Sequence, residues 1–564
     1  MQVKNPRSSD PPARQSAAGG SATGASMWSP LERAVFRSIW IALVASNIGT
    51  WMQSVGAAWL MTSLTPSPLL VALMQTATSL PILLLGLPAG ALADVVDRRR
   101  LLLVTESWLL LVALTLGVLT LTGAMSAGTL LALTFLMGVG AALDGPAWQA
   151  VVTDVVERQD LPAAVSLNIV GFNVARAVGP ALGGLVVAAA GPAAVFLLNA
   201  ASFLAVLGAI YRWRRTGIQS DTPPEDMLGA TLTGMRYVRH APALQAVLVR
   251  TGVFIFGASA LWALLPVVAR QELGLDATGY GIILGSLGLG AVAGAVLLPR
   301  LRGALPIDSL TVVATLVFAG TTLALAYLRF APLVLGSMVG GGIAWMAMTS
   351  SVNVAAQTAV PAWVRARAVS LYILVFQGML AVGAFAWGTL AQQFGNAAAL
   401  SIAAVALVGG LAATWRWPLH QVQRLDLNYS MHWPDPRLAL TPDPADGPVL
   451  ITIEYRVPAE QARDFTDVME AMRRFRRREG AVRWDLFRDL GDPDRYVETF
   501  VVPSWGEHLR EHARVTVDDQ ALEARRDALL QPGVAPVTAH LIAAHAFDGG
   551  TPAETPRVGL PIDT

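Results

Sequence analysis

From about residue 36 to residue 417 the chain is a succession of apolar runs, each long enough to cross a bilayer and each closed by a short polar or glycine-rich gap. Crossing ~30 Å of hydrocarbon takes roughly 20 mainly apolar residues in a helix, because no water is present to satisfy an open backbone. The runs near 36–60, 68–92, 101–122, 128–150, 163–189, 192–212, 242–267, 278–299, 307–328, 332–357, 366–391 and 396–417 therefore predict an all-α membrane protein with twelve transmembrane helices. Charged residues make up only 14% of the chain, against about 25% in a soluble domain. There is no cysteine, which excludes disulfide frameworks, thiolate nucleophiles and cysteine-based zinc sites.

Charge is concentrated at the C-terminus. Between Val449 and Asp548 lie 18 Asp+Glu and 14 Arg, out of 79 charged residues in the chain. This composition predicts a soluble α+β domain over 448–548, joined to the membrane body by a linker at 420–447 and followed by a tail at 549–564. The body divides into bundles at 31–212 and 241–419 with a basic linker at 213–240. Residues 1–30, rich in Ser, Ala, Gly and Pro, are expected to be disordered. Connecting segments alternate between arginine-rich (Arg98 to Arg100, Arg158, Arg300 and Arg302, Arg365 and Arg367) and arginine-poor (TSLTPSP, TGAMSAG and QQFGN, uncharged, with Arg270 and Arg329 as the few basic residues of that set). Basic loops stay inside, so both termini are expected in the cytoplasm, on a protein of the bacterial inner membrane.

Shifting the sequence by 204 residues superposes AVSL at Ala164–Leu167 on AVSL at Ala368–Leu371, Gly179 on Gly383, Gly184 on Gly388, Gly90 on Gly294 and Arg98 on Arg302. The shift predicts two six-helix parallel repeats with a substrate site between them near the midplane and alternating access by rocking of the halves.

GALADVVDRRR, Gly90 to Arg100, resembles the signature of the major facilitator superfamily between helices 2 and 3, with Gly90, Leu92, Asp94, Arg98 and Arg99 in place and Asp97 where a glycine is usual. That departure, NIGTWMQSVGAAWLMTSLTPSPLLVALMQTATSLP and DGPAWQAVV resemble the enterobactin-exporter-like branch of bacterial efflux proteins. The resemblance implies that Asp94 is a conformational latch, with Gly90 and Arg98 in its loop and Arg365 or Arg367 as partners across the halves. RAVGPALGG resembles the helix-5 motif of antiporters in the superfamily, with Ala175 where its first glycine would stand, and implies a hinge at Gly179, Pro180, Gly183 and Gly184.

An ionisable side chain inside a span costs at least ~2.5 kcal/mol near the centre and asks for a partner. Asp144, Arg176 and Glu106 are the proton-coupling candidates, with Asp144 and Arg176 on neighbouring helices and expected to pair; Arg250 is a further charge within its helix. Substrate contacts are expected from Asn47, Trp51, Gln53, Gln75, Asn173, Asn353 and Gln377, by their helix positions. Few charges face inward, which favours a bulky, mostly apolar substrate with scattered hydrogen-bonding groups. Trp59 is expected at the membrane interface as an anchor.

In the C-terminal region VLITIEY alternates as a strand, and Phe465, Val468, Met469, Met472 and Phe475 form a helical stripe. The order βαββαβ predicts a ferredoxin-like fold. RYVETFVVPSWGEHLREHARVT resembles antibiotic-biosynthesis-monooxygenase-like domains, which implies a homodimer through their sheets. His508 and His512 share one helix face, but no third ligand stands at a telling spacing, so no metal and no cofactor is expected. The expected activity is secondary transport, not catalysis: export of small amphipathic, siderophore-like or drug-like molecules by proton antiport. Its partners are the substrate, protons and the lipid bilayer, without nucleic acid. A monooxygenase tail coupled to transport, or a ligand-binding membrane sensor, are the alternatives.

Overall fold

A computed structural model describes residues 28–157, 159–213, 236–423, 425–433, 438–440 and 442–544. Residues 1–27 of the segment expected to be disordered, most of the basic linker and the last twenty residues lie outside them. Twelve long helices form the body: α1 Ala34–Leu64, α2 Pro68–Val95, α3 Arg98–Leu121, α4 Ala127–Val155, α5 Leu161–Ala190, α6 Pro192–Arg212, α7 Pro242–Gln271, α8 Ala277–Ala304, α9 Ile307–Tyr327, α10 Ala331–Thr358, α11 Arg365–Phe394 and α12 Asn396–Ala413. Among the described residues eleven helices, α2 to α12, are long and apolar enough to cross a membrane. Eleven of the twelve expected spans meet that measure; α1 has the length, with 31 residues, but Ser46, Asn47, Thr50, Gln53 and Ser54 lower its apolarity.

Helix ends follow from local chemistry. Ser67, Ser126 and Asp276 cap α2, α4 and α8 by accepting from the amides of Leu70, Thr129 and Gly279. Asp97, the residue at which the hairpin signature departs from its usual glycine, caps α3 by accepting from the Arg100 amide at 2.9 Å. Such caps satisfy one of the four free N–H groups at a helix start and contribute about 1 kcal/mol.

Packing repeats between the halves α1–α6 and α7–α12. In the first, α1 packs on α5 and α6, α2 on α4, and α3 on α4 and α6; in the second, α7 packs on α11 and α12, α8 on α10, and α9 on α10 and α12. Across the halves α2 packs on α11 and α5 on α8. The sequence register needs one correction. From α4 onward the starts recur after 204 residues, Ala127 to Ala331 and Leu161 to Arg365, but Pro68 recurs at Ala277 and Arg98 at Ile307, 209 residues on. Gly90 and Arg98 therefore do not correspond to Gly294 and Arg302. Asp94 stands opposite Gly303, and the first turn of α9 holds Asp308 where that of α3 holds Arg99.

Lipid is as apolar as leucine, so helices in a bilayer associate largely through close contact. At the α5–α8 crossing a Cβ added to Gly184 would lie 2.6 Å from the Ala277 carbonyl and 3.0 Å from Gly281 Cα. Only a hydrogen fits there. Arg250 of α7, a charge predicted inside the membrane, pairs with Asp308 at 2.9 Å. Asp308 also accepts from the amides of Leu419 and His420, so the pair ties α7 and α9 to the chain leaving α12.

The C-terminal domain has strands β1 Val449–Arg456, β2 Arg483–Arg488, β3 Arg495–Val502 and β4 Val537–Ile542 in the antiparallel order β2-β3-β1-β4. Helix α13 Ala462–Glu479 lies between β1 and β2, and α14 Trp505–Arg514 and α15 Val517–Asp527 lie between β3 and β4. Phe465, Met469, Met472 and Phe475 bury the α13 stripe against Ile451, Tyr455 and Phe500. Arg476 is also buried, 2% exposed, and its Nε donates to Glu498 at 3.2 Å, with Glu511 at 3.8 Å and Glu523 at 3.9 Å. Against the push of burial, Arg476 and hydrogen bonds from Tyr455 (2.6 Å) and Trp484 (2.8 Å) hold the Glu498 carboxyl below its usual range. Part of the predicted linker belongs to this domain. Ser430 donates to the Val515 carbonyl, and His432 and Trp433 both reach Glu523, at 2.7 and 2.9 Å.

The domain docks on the membrane body at the end where α10 turns into α11, called here the near end. The Arg514 guanidinium lies 4.1 Å from the centre of the Trp363 ring, Arg478 lies over Tyr237, and Arg236 donates to the Gly480 carbonyl at 3.3 Å.

Candidate functional site

Arg176 sits near the middle of α5, on the helix that packs against the second half. Its guanidinium lies 5.9 Å from the ring centre of Trp262 on α7 and 6.0 Å from that of Trp345 on α10, within the range of a cation–π contact. Trp345 anchors an aromatic cluster with Trp262 (5.3 Å), Phe254 (6.1 Å), Phe318 (5.8 Å) and Phe376 of α11 (6.0 Å). Among the described residues, Arg176 Nε and Trp262 Nε1 are buried donors without a hydrogen-bond acceptor. Buried donors are nearly always satisfied, so two that remain free on facing helices mark a place for an acceptor from outside the chain. An anionic or carbonyl-rich group on an apolar scaffold fits both donors and rings.

The predicted Asp144–Arg176 pair is not formed. Asp144 accepts from Thr105 at 2.8 Å, and Glu106, 2% exposed, accepts from Trp148 at 3.2 Å while its second oxygen is buried without a partner among the described residues. Both carboxylates belong to an α3–α4 contact inside the first half; Arg176 turns instead to the aromatic face across the halves. Among the described residues no arginine or lysine pairs with either carboxylate. Helical neighbourhood in sequence placed α4 beside α5, but α5 spends its contacts on α1 and α8.

The polar candidates divide. Gln53 is a correction: it accepts from Asn199 of α6 at 2.7 Å in a buried pair and is part of the first half's packing. Trp51 packs at Gly179, where an added Cβ would lie 2.6 Å from its own Cβ. Gln75 donates to Ser79, Asn173 to the Ile169 carbonyl of its own helix, and Asn353 accepts from Gln357; Asn47 and Gln377 are half-buried. Gly183 packs on Met52 of α1, while Pro180 and Gly184 meet Gly281 of α8, so the glycine motif lies on two seams.

At the near end Asp94 occupies the last turn of α2, the helix packed along α11; its side chain lies outside the described ones. Arg98 pairs within its own half, with Asp154 of α4 at 3.0 Å. Arg99 donates to the carbonyls of Ile210 and Tyr211 at 3.2 and 2.7 Å, filling acceptors that the end of α6 leaves open. Arg365 is exposed and Arg367 half-buried in the first turn of α11; Gly90 has open space beside it. At the far end the halves meet. Trp59 stacks on Tyr280 at 6.0 Å, with the Arg270 guanidinium 5.2 Å from the centre of the Trp59 ring, Arg270 donates to Thr62 at 3.1 Å, and Ser67 donates to Gln392 at 2.7 Å. Trp59 is thus a contact between halves, correcting its reading as a lipid anchor.

The chain matches the profile of the family described as transmembrane secretion effector over residues 25–547, through the sheet domain. It is 24% identical over 365 residues to the staphyloferrin A transporter of Staphylococcus aureus, covering 64% of this chain and 90% of that protein. It is 28% identical over 406 residues to the multidrug efflux pump Tap of Mycolicibacterium fortuitum, covering 69% and 96%. It is 25% identical over 330 residues to the enterobactin exporter EntS of Shigella boydii, covering 56% and 75%. The fold is similar to that of a bacterial homologue of the lysosomal transporter Spinster in an inward-facing conformation, with a TM-score of 0.52 and 15% identity, over 69% of this chain and 94% of that one.

Proposed function

We propose, from the premise that this chain belongs to the transmembrane secretion effector family of the major facilitator superfamily, that it exports amphipathic molecules carrying an anionic or acceptor-rich group. The family is one of transporters rather than enzymes, and the relatives include siderophore and drug transporters. The observation that carries the substrate class is Arg176 of one half facing Trp262 and Trp345 of the other with unfilled buried donors. A carboxylate or catecholate would take up the arginine, and its apolar frame would lie on the rings.

In this reading α1 is the twelfth span, the halves are parallel six-helix repeats, and the sheet domain is a cytoplasmic ferredoxin-like module, as its strand order supports. The far-end contacts of Trp59, Tyr280 and Arg270 then close the outer side, and rocking on the α5–α8 and α2–α11 seams alternates access. The Asp94 latch to Arg365 or Arg367 forms when the near end closes. Glu106 and Asp144 are the proton carriers of the antiport, acting through α3–α4 rather than through Arg176. The sheet domain is the candidate homodimer contact.

The test is proton-gradient-dependent transport in vesicles of paired substrates, a carboxylate or catecholate amphiphile and a cationic dye. Arg176→Gln is expected to lower uptake of the anion at least tenfold and that of the dye less than twofold. Equal loss for both, or no loss for the anion, refutes the assignment of the site.

A further inference from the structure

The histidine pair on α14 acquires a third member that lies 28 residues beyond it in sequence. His508, His512 and His540, the last from β4, each place a ring nitrogen within 4.8 Å of the others. Ring centres are 4.8 Å apart for His508 and His512 and 4.9 Å for His508 and His540. His508 is 2% exposed. Its Nδ1 faces the Glu511 carboxylate at 3.3 Å, and its Nε2 is buried with no hydrogen-bond partner among the described residues.

We propose that His508, His512 and His540 bind a divalent first-row transition ion of the zinc class. Three imidazoles without thiolate suit zinc, nickel, copper or cobalt and disfavour calcium and magnesium, which take oxygen ligands. A carboxylate on the far nitrogen of a ligating histidine fixes its orientation and raises its basicity, and Glu511 stands in that place on His508. Nitrogens of a tetrahedral site with bonds of about 2.0–2.1 Å are separated by about 3.3 Å, so ring rotations that draw the three nitrogens together complete the geometry. Trp505 and Trp433 wall the cluster, Trp505 at 5.3 Å from His508 and Trp433 at 4.9 Å from His512. Three protein ligands leave a coordination position open for water or a fourth donor. The site depends on the fold of the sheet domain alone, and its test is independent of transport.

The test uses the untagged full-length protein in detergent, stripped of metal and titrated with Co2+, whose visible ligand-field bands report nitrogen coordination in a non-octahedral site. The expected result is saturation at one ion per chain and displacement by Zn2+. His540→Gln lies on an edge strand and His512→Asn is half-buried, so both keep the buried His508 in place; each is expected to abolish the bands. Glu511→Gln is expected to weaken binding about 10–100-fold with the stoichiometry kept. Loss of the bands in either folded variant carries the assignment. No bands in the parent protein, or bands retained in both variants, overturns it.

Discussion

Replacing Gly281 by alanine tests whether the α5–α8 crossing decides which end of the bundle is shut. An added Cβ would lie 2.7 Å from the Pro180 carbonyl oxygen and 2.9 Å from Gly184 Cα, roughly 0.7 Å short of ordinary contact. Both obstacles are backbone, so no side chain can swing aside and the helices must separate. Overpacking of this kind costs about 1–3 kcal/mol. If the far-end-closed state alone brings the helices so near, the whole cost falls on that state and moves its equilibrium with the far-open state by about 5- to 150-fold. The chain has no cysteine, so Thr62→Cys, buried at the far end beside Arg270, is a lone reporter. Its reaction with a membrane-impermeant maleimide applied from the far side is expected to rise at least fivefold when Gly281→Ala is added, and transport to fall. A folded double variant whose labelling stays within twofold of Thr62→Cys would show that the crossing is equally tight in both states, and the rocking seam would lie elsewhere.

Asp97→Ala removes the α3 cap and is expected to lower stability by about 1 kcal/mol, read as a lower melting temperature with transport kept. Arg476→Met strands Glu498, Glu511 and Glu523 in the sheet-domain core; breaking a buried ion pair costs about 3–5 kcal/mol, so limited proteolysis should cut the domain while the membrane body stays intact. Glu106→Gln combined with Asp144→Asn should abolish the dependence of transport on the proton gradient while leaving substrate binding, measured by equilibrium titration, within twofold. Trp363→Ala removes the ring under Arg514, a contact of about 1 kcal/mol, and hydrogen exchange at residues 480–482 and 514–516 should quicken.

Much of the bundle was legible because its solvent dictates its sequence. A helix in lipid must be apolar for its whole length, so eleven of the twelve predicted spans meet that test. α1 falls below it because its polar residues face other helices, Gln53 toward Asn199 among them. The repeat was legible from α4 onward and misregistered before it, since α9 and the loop after it are together five residues shorter than α3 and its loop, a deletion that leaves no mark in a background of small and apolar side chains. In the sheet domain the α13 stripe was legible by its spacing, but the buried Arg476 was not, because its partners Glu498, Glu511 and Glu523 come from β3, α14 and α15.

The site divides along the same line. Apolar length, the alternation of basic loops and the charged C-terminus are summed over many residues, and the sequence alone determined from them a multi-span membrane body with an appended folded domain. Side-chain partnership is a property of two or three positions far apart in the chain. Only the tertiary structure decided that Arg176 meets Trp262 and Trp345 rather than Asp144, that Trp59 faces Tyr280 rather than lipid, and that His540 joins His508 and His512. Each of those contacts depends on which faces two helices or strands present to each other, and a rotation of one residue, about 100° on a helix, is enough to exchange one partner for another.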